Sequence, residues 1–326
     1  MFPAIAGLLF AGCFFFLALV VLGVLLFLFL LFFGVTSPDD IARRAIGDKA
    51  MPQVIEQWKK NHGYDKPRLP GPGHLTDNLL VEHYRRMLTF DFGKSDADNT
   101  PIVDRLEQGA LPSLCLTVPE FLIGLVLGIW SALVVALFRG TYIDKSTTLV
   151  CVVLMSIPIL LFIIGGQYLI GKQLRWFPIS GWDRDSSIMW RFLALPVIVG
   201  VLSGFGGTVR FYRTVFLDEV YRDYVRTARA KGAGDLRILV RHVLPNAMIP
   251  VLTAVVMEIP FLFTGSLLLE AAFGIPGLGS LTVDAINAND FATLRTMVFI
   301  GSLLFVAAQI VTDISYTLVD PRVRLE

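Results

Sequence analysis

Six stretches of this chain, near residues 4–33, 113–138, 149–170, 192–209, 246–272 and 296–318, are long and apolar enough to cross a bilayer. The hydrocarbon core is about 30 Å thick and takes roughly 20 helical residues. Backbone groups inside it have no water to bond, so the segments must close their hydrogen bonds internally, as helices. The expected fold class is therefore an all-α integral membrane protein with six transmembrane helices. Composition agrees: of 326 residues 55% are hydrophobic and only 17% charged, with net charge +1 and mean hydropathy +0.67. These values exclude an ordinary soluble enzyme and lack the basic excess of a nucleic-acid binder.

The first stretch is too long for a signal-peptide core, has no basic start, and ends at Gly34-Val35 without a small-x-small cleavage pattern, so it reads as a span. Cys13, Cys115 and Cys151 all lie in apolar runs without ligand spacing and read as small buried hydrophobes. Short loops set orientation through retained Lys and Arg. Residues 210–245 carry Arg210, Arg213, Arg222, Arg226, Arg229, Lys231, Arg237 and Arg241 against Asp218, Glu219, Asp223 and Asp235. That excess marks the segment as cytoplasmic. With six spans, both termini, the 139–148 loop and the Arg322/Arg324 tail then lie inside, and residues 36–110 lie outside.

The expected organisation is a first transmembrane helix over 1–34, an extracytoplasmic insert over 35–111, and a core of five helices over 112–326 that contains the 210–245 loop. Within the insert, 51–58 and 79–88 have helical apolar periodicity and 67–73 is a Pro/Gly interruption. His62, His74 and His83 are too widely spaced for a compact metal site and read as surface residues. No metal ligands are assigned.

Residues 166–172 approach a phosphate-cradling loop, but Gln173 stands where a Ser or Thr must hold Mg²⁺. No nucleophile elbow or paired zinc motif occurs, so no catalytic residue is assigned. Gly124/Gly128 and Gly200/Gly204 have the spacing that lets helix backbones approach closely in lipid.

Between the fourth and fifth spans, Tyr221, Tyr224, Val225 and Ala228 recur at i, i+3, i+4, i+7, with Arg222, Arg226 and Arg229 on the other side. Gly232-Ala233-Gly234 can end this helix and Asp235 can cap the next. Leu236, Leu239, Val240 and Val243 then repeat the pattern opposite Arg237 and Arg241 until Pro245. Such a pair of helices suits either an interface with anionic head groups or a groove on a cytoplasmic partner.

Thr227-Ala228-Arg229-Ala230-Lys231-Gly232, with Leu244-Pro245 beginning twelve residues after the glycine, resembles the coupling loop of permease subunits in ATP-binding-cassette importers. The wider segments Asp223-Tyr224-Val225-Arg226 and Asn246-Ala247-Met248-Ile249-Pro250 are similar to the dipeptide/oligopeptide/nickel branch. So are Gly63-Tyr64-Asp65-Lys66-Pro67, Phe90-Asp91-Phe92-Gly93-Lys94-Ser95, Ser156-Ile157-Pro158 and Pro276-Gly277-Leu278-Gly279. The ending Asp313-Ile314-Ser315-Tyr316-Thr317-Leu318-Val319-Asp320-Pro321 most resembles YejB-type members. Arg226 and Thr227 replace the loop's namesake Glu-Ala, so only Ala228, Gly232 and Pro245 carry over directly.

The resemblance implies a non-catalytic permease subunit in a bacterial inner membrane. It would pair with a second homologous permease, two ATP-binding subunits that hold the ATP and Mg²⁺, and an extracytoplasmic substrate-binding protein. The cargo implied by the branch is peptide. Candidate ATPase-coupling residues are Tyr221, Arg222, Tyr224, Val225, Arg226, Ala228, Arg229, Lys231, Gly232, Gly234, Asp235, Arg237, Arg241 and Pro245. Glu258 and Glu270 are candidate pathway residues, because ionisable groups in spans face a cavity or a partner. The alternative from the residues alone is an ion-driven carrier using Glu258, Glu270 and Asp313, against which no internal repeat is evident.

Overall fold

A computed structural model describes the backbone of residues 18–34, 36–47, 49–71 and 76–319, and their side chains except at 186, 261 and 312–319. Cys13, His74, the first half of the first span, the Asp313 side chain and the Arg322/Arg324 tail lie outside the described residues. Among those described, the regular structure is all helical apart from one isolated bridge, Lys94 to Pro101, and the helices are joined by turns and loops.

Four helices are long and apolar enough to span a membrane, namely Ile102–Leu137, Ser187–Val220, Met248–Phe273 and Phe291–Val311. Two further candidates are bent pairs: Ala18–Gly34 with Pro38–Ile46 at 68°, and Tyr142–Ser156 with Ile159–Gln173 at 92°. The six expected stretches are thus accounted for, but the expected third span at 149–170 is not a straight helix. Its break falls at Ile157, which is extended (φ −93°, ψ 120°) ahead of Pro158. Proline crowds the preceding residue out of the α region and brings no N–H of its own.

Other boundaries also shift. Residues 210–220, expected in the loop, continue the Ser186–Val220 helix. The Ile102–Leu137 helix of 36 residues passes through Pro112 and Pro119, and at about 54 Å it is longer than the hydrocarbon core. The fifth span is interrupted at Gly265 (φ 75°, ψ 175°), which separates Met248–Thr264 from Leu267–Phe273.

The chain divides into two units. One comprises the residues up to 111 with Gly277–Ile310. Its apolar core includes Phe29, Phe33, Ile41, Trp58, Leu79, Met87 and Phe299. Inside this core lies a polar cluster. Asp290 accepts from Ser95 Oγ at 2.5 Å, the Asp96 N–H at 3.0 Å and Thr293 Oγ1 at 2.6 Å. Asp96 accepts from Tyr64 Oη at 3.1 Å and the Ala292 N–H at 2.9 Å, and Arg295 Nη2 donates to Tyr64 Oη at 3.3 Å. Two carboxylates thus satisfy N–H groups at the start of the Phe291–Val319 helix, where donors lack partners within the helix.

His83, expected at the surface, is buried here at 4% exposure. It sits at i+4 between Leu79 and Met87 on the buried face of the Leu79–Leu88 helix, with Nε2 3.2 Å from the Leu25 carbonyl. Burial, reinforced by the Arg295 charge, pushes its pKa down to about 3. His62 is partly buried and stacked on Trp58, with ring centroids 4.1 Å apart.

The other unit comprises Pro112–Pro276 and the residues from 311. It has two apolar clusters, one around Leu116, Ile163, Leu195 and Phe273, the other around Leu133, Phe216, Val225 and Val243. Arg213 Nη2 pairs with Asp144 Oδ1 at 2.7 Å, joining the Tyr142–Ser156 and Ser186–Val220 helices.

Candidate functional site

Two features of the second unit bear on function. The first is the segment after Val220. Tyr221 closes the preceding helix, and the Arg139 guanidinium stands 4.4 Å from its ring centroid. The next helix, Asp223–Ala230, has Arg222 at its cap position, without a side-chain cap bond, and Asp223 in its first turn. Val225 is 1% exposed and packs with Ala132, Leu133, Ala136, Tyr212 and Phe216. Tyr224 and Ala228 flank it on the same face, and Tyr224 Oη donates to Glu219 Oε2 at 2.5 Å. Burial and that carboxylate raise the Tyr224 hydroxyl above its ordinary pKa.

The opposite side carries Arg222, Arg226 and Arg229, all exposed. Their pairs with Glu219 at 3.7 Å, Asp223 at 3.5 Å and Asp235 at 3.1 Å are surface contacts, which hold such side chains weakly. The guanidinium face is therefore available to a partner.

The helix ends as the glycine pattern predicts. Gly232 has φ +81°, its N–H donates to the Arg229 carbonyl at 3.0 Å, and the Ala233 N–H donates to the Ala228 carbonyl at 3.1 Å. This is a Schellman closure, in which the left-handed residue is glycine because a Cβ is disfavoured there. Asp235 does not cap the next helix as expected. Gly234 occupies the cap, and the Asp235 carboxylate accepts from Arg229 instead.

The expected second stripe is also rearranged. Ile238, Leu239 and Val243 are buried, while Leu236 and Val240 are 63% and 50% exposed. A π turn at Leu239–Val243 follows the short Asp235–Ile238 helix, and its wider winding rotates the later residues out of the 3.6 phase. Pro245 follows within the single turn Leu244–Asn246. Lacking an N–H, Pro245 cannot continue the ordinary ladder, and the wide turn sits where that bond is lost. Lys231, Arg237 and Arg241 are exposed alongside Pro245.

The second feature is a cleft of about 590 Å³ between the Ile102–Leu137, Ser186–Val220 and Met248–Thr264 helices. Glu258 lines it, as does Glu120, which the sequence reading passed over. The missed signal was an ionisable residue in an apolar stretch, directly after Pro119. Glycines at 124, 200, 204 and 207 keep the walls bare. Of the two expected glycine pairs, Gly128 and Gly200 are at close approaches. A Cβ on Gly128 would stand 2.4 Å from Thr208 Cγ2, and one on Gly200 would stand 2.2 Å from Glu120 Oε1. Gly124 and Gly204 have open space.

Glu270 is placed differently. It is fully buried, and its Oε1 accepts from Ser113 Oγ at 2.8 Å and the Ser266 N–H at 3.1 Å. Ser266 in turn borders the cleft. The near-miss phosphate loop falls largely within the π turn Gln167–Gln173, at the end of a helix. Among the described residues no three His, Cys, Asp or Glu side chains converge as a metal site.

The chain is 30% identical over 309 residues, covering 94% of each chain, to the glutathione transport system permease protein GsiC of Shigella flexneri serotype 5b (strain 8401), and equally to that of Escherichia coli (strain K12). A solved inward-facing structure of the MetNI methionine ABC transporter is similar in fold, with TM-score 0.52 and 17% identity, covering 68% of this chain and 98% of that one. Residues 124–325 match the family of binding-protein-dependent transport system inner membrane components. That match includes the projecting loop and most of the residues lining the cleft, and with the relatives it shows that this chain belongs to that family, the permease subunits of ABC importers.

Proposed function

We propose that this chain forms half of the translocation pathway of a peptide importer and that residues 221–245, on the cytoplasmic side, dock on an ATP-binding subunit. The observation that carries this is the two-sidedness of the loop. Val225, Leu239 and Val243 are packed on the spans while Arg222, Arg226 and Arg229 point away. A rigid apolar seat transmits displacement, and an exposed guanidinium face suits carboxylates on a partner. Movement imposed on the loop then reaches the Ile102–Leu137 and Ser186–Val220 helices, which wall the cleft.

The chemistry of ATP and Mg²⁺ belongs, in this reading, to two partner subunits. A second homologous permease completes the pathway and an extracytoplasmic binding protein delivers the cargo. Peptide is supported by the relatives' naming for glutathione, a tripeptide. Glu258 faces the pathway, and Glu270 positions the Gly265-Ser266 turn at its border.

The test is affinity purification of the tagged chain from its native membrane in gentle detergent, with co-purifying chains identified by mass spectrometry. Recovery of a second permease and P-loop ATPases is expected. Recovery of this chain alone, where a known complex survives the same preparation, overturns the proposal.

A further inference from the structure

We infer that the cleft selects cargo by charge, with Glu120 and Glu258 forming a subsite for an ammonium group walled by aromatic rings; this rests on the reading of the cleft as the translocation pathway. The lining carries those two carboxyl groups and four aromatic side chains, Phe121, Phe205, Phe211 and Tyr212, and contains no Lys, Arg or His. Among the described residues the protein gives neither carboxyl group a hydrogen bond or an ion pair, in contrast to Glu270 and its serine.

Glu120 occupies space that only a glycine at 200 leaves free, since a Cβ there would lie 2.2 Å from Oε1 and 2.4 Å from the carboxyl carbon. The bare backbone of one helix thus seats a carboxyl group projected from another. A charge at this depth is costly without a counter-charge. An entering cation supplies that counter-charge, and the negative faces of aromatic rings attract the same ligand. A lining with no base also offers carboxylate-rich cargo no counter-charge. The class selected is peptides whose ammonium groups outnumber their carboxylates. Glutathione, with two carboxylates and one ammonium, is a poor match, so the cargo differs from that named for the relatives.

The experiment measures cellular uptake through the complete transporter, using labelled trilysine, trialanine, N-acetyl-trialanine and triglutamate. Wild type is expected to import trilysine about tenfold faster than N-acetyl-trialanine, the low end for close charge pairs, and to import triglutamate slowest. Glu120→Gln with Glu258→Gln should bring that ratio near one. Because the double variant exchanges two carboxyl groups within spans for amides and can disturb assembly, Gly200→Ala is the second probe. It displaces the Glu120 carboxyl group while keeping both acids, and should lower the ratio in an assembled complex. Import of all four peptides at similar rates by wild type, or an unchanged ratio in every variant, overturns the subsite and leaves peptide transport standing. An assembled complex that imports none of the four overturns the peptide reading and the subsite together.

Discussion

Replacing Gly232 by alanine tests the docking loop with a magnitude set by local geometry. At φ +81° the residue is in the left-handed region, and a Cβ built there meets nothing within 4 Å. Steric clash with neighbours therefore contributes nothing, and the whole cost is that of an L-residue held left-handed, about 1–2 kcal/mol. If the ATPase binds only the closed turn, its binding energy must supply that cost, and apparent affinity falls about 5–30-fold. Gly234 is the matched control. It too has open space around a built Cβ, but its φ of −66° and ψ of 151° are open to any residue. There the lost preference for glycine at a cap and the reduced chain entropy of alanine oppose each other, leaving about 0.5 kcal/mol or less. The assay is ATPase recovery with the tagged permease across a dilution series, together with peptide uptake, in both variants at matched membrane levels. Gly232→Ala should weaken recovery and uptake by the stated factor while Gly234→Ala stays within about twofold of wild type. Equal effects of the two substitutions, or none from either, would refute the claim that this turn presents the loop to its partner.

Burial holds the Asp96 carboxyl group up at about 6, opposed by Arg295 and assisted by Asp290, with Tyr64 and His62 also facing it. Its folded pKa exceeds the unfolded 3.8, so its contribution is fully present below about pH 4 and is lost as pH rises through about 6, on the order of 3 kcal/mol. Hydrogen exchange, corrected for intrinsic rates, should show more protection around Tyr64 and Asp96 at pH 5.5 than at pH 7.5, and Asp96→Asn should remove most of that difference. Gly206→Ala puts a Cβ 2.7 Å from the Cys151 carbonyl oxygen, whereas Gly207→Ala meets nothing. Thermal unfolding in detergent should find the first destabilising by about 1–3 kcal/mol and the second near neutral. Ser113→Ala removes a buried donor from Glu270 and should cost about 1–3 kcal/mol in the same assay.

The number of spans and the turn at Gly232 were legible because each follows from a local demand, an apolar run of membrane length or a backbone conformation that favours glycine. The break at Ile157 was equally local, lying before a proline, yet 149–170 was expected as one span because its apolar run continues through that proline. The second helix of the loop was legible only in part: Pro245 marks where the ladder loses a bond, but the π turn this permits at Leu239–Val243 and the exposure of Leu236 and Val240 are settled only when the chain packs. His83 was misplaced for a related reason. Its position between Leu79 and Met87 marks a helix face, but only the packing of that face against Leu25 and Phe33 makes it interior.

The three glutamates of the apolar stretches show where sequence reading stops. Glu120, Glu258 and Glu270 are alike in the sequence, each a carboxyl group among residues that avoid charge. What separates them is the element opposite. Glu270 meets a serine hydroxyl and a backbone N–H, so its polarity is satisfied within the fold. Glu120 meets the missing side chain of Gly200 and, with Glu258, borders open space. An acid supplied with donors stabilises its own turn, whereas one left on a cleft wall gains most from a cation that arrives. The two roles are assigned by helix packing alone, and so uptake ratios should respond to Glu120 and Glu258 while Glu270→Gln registers as altered stability with the ratios intact.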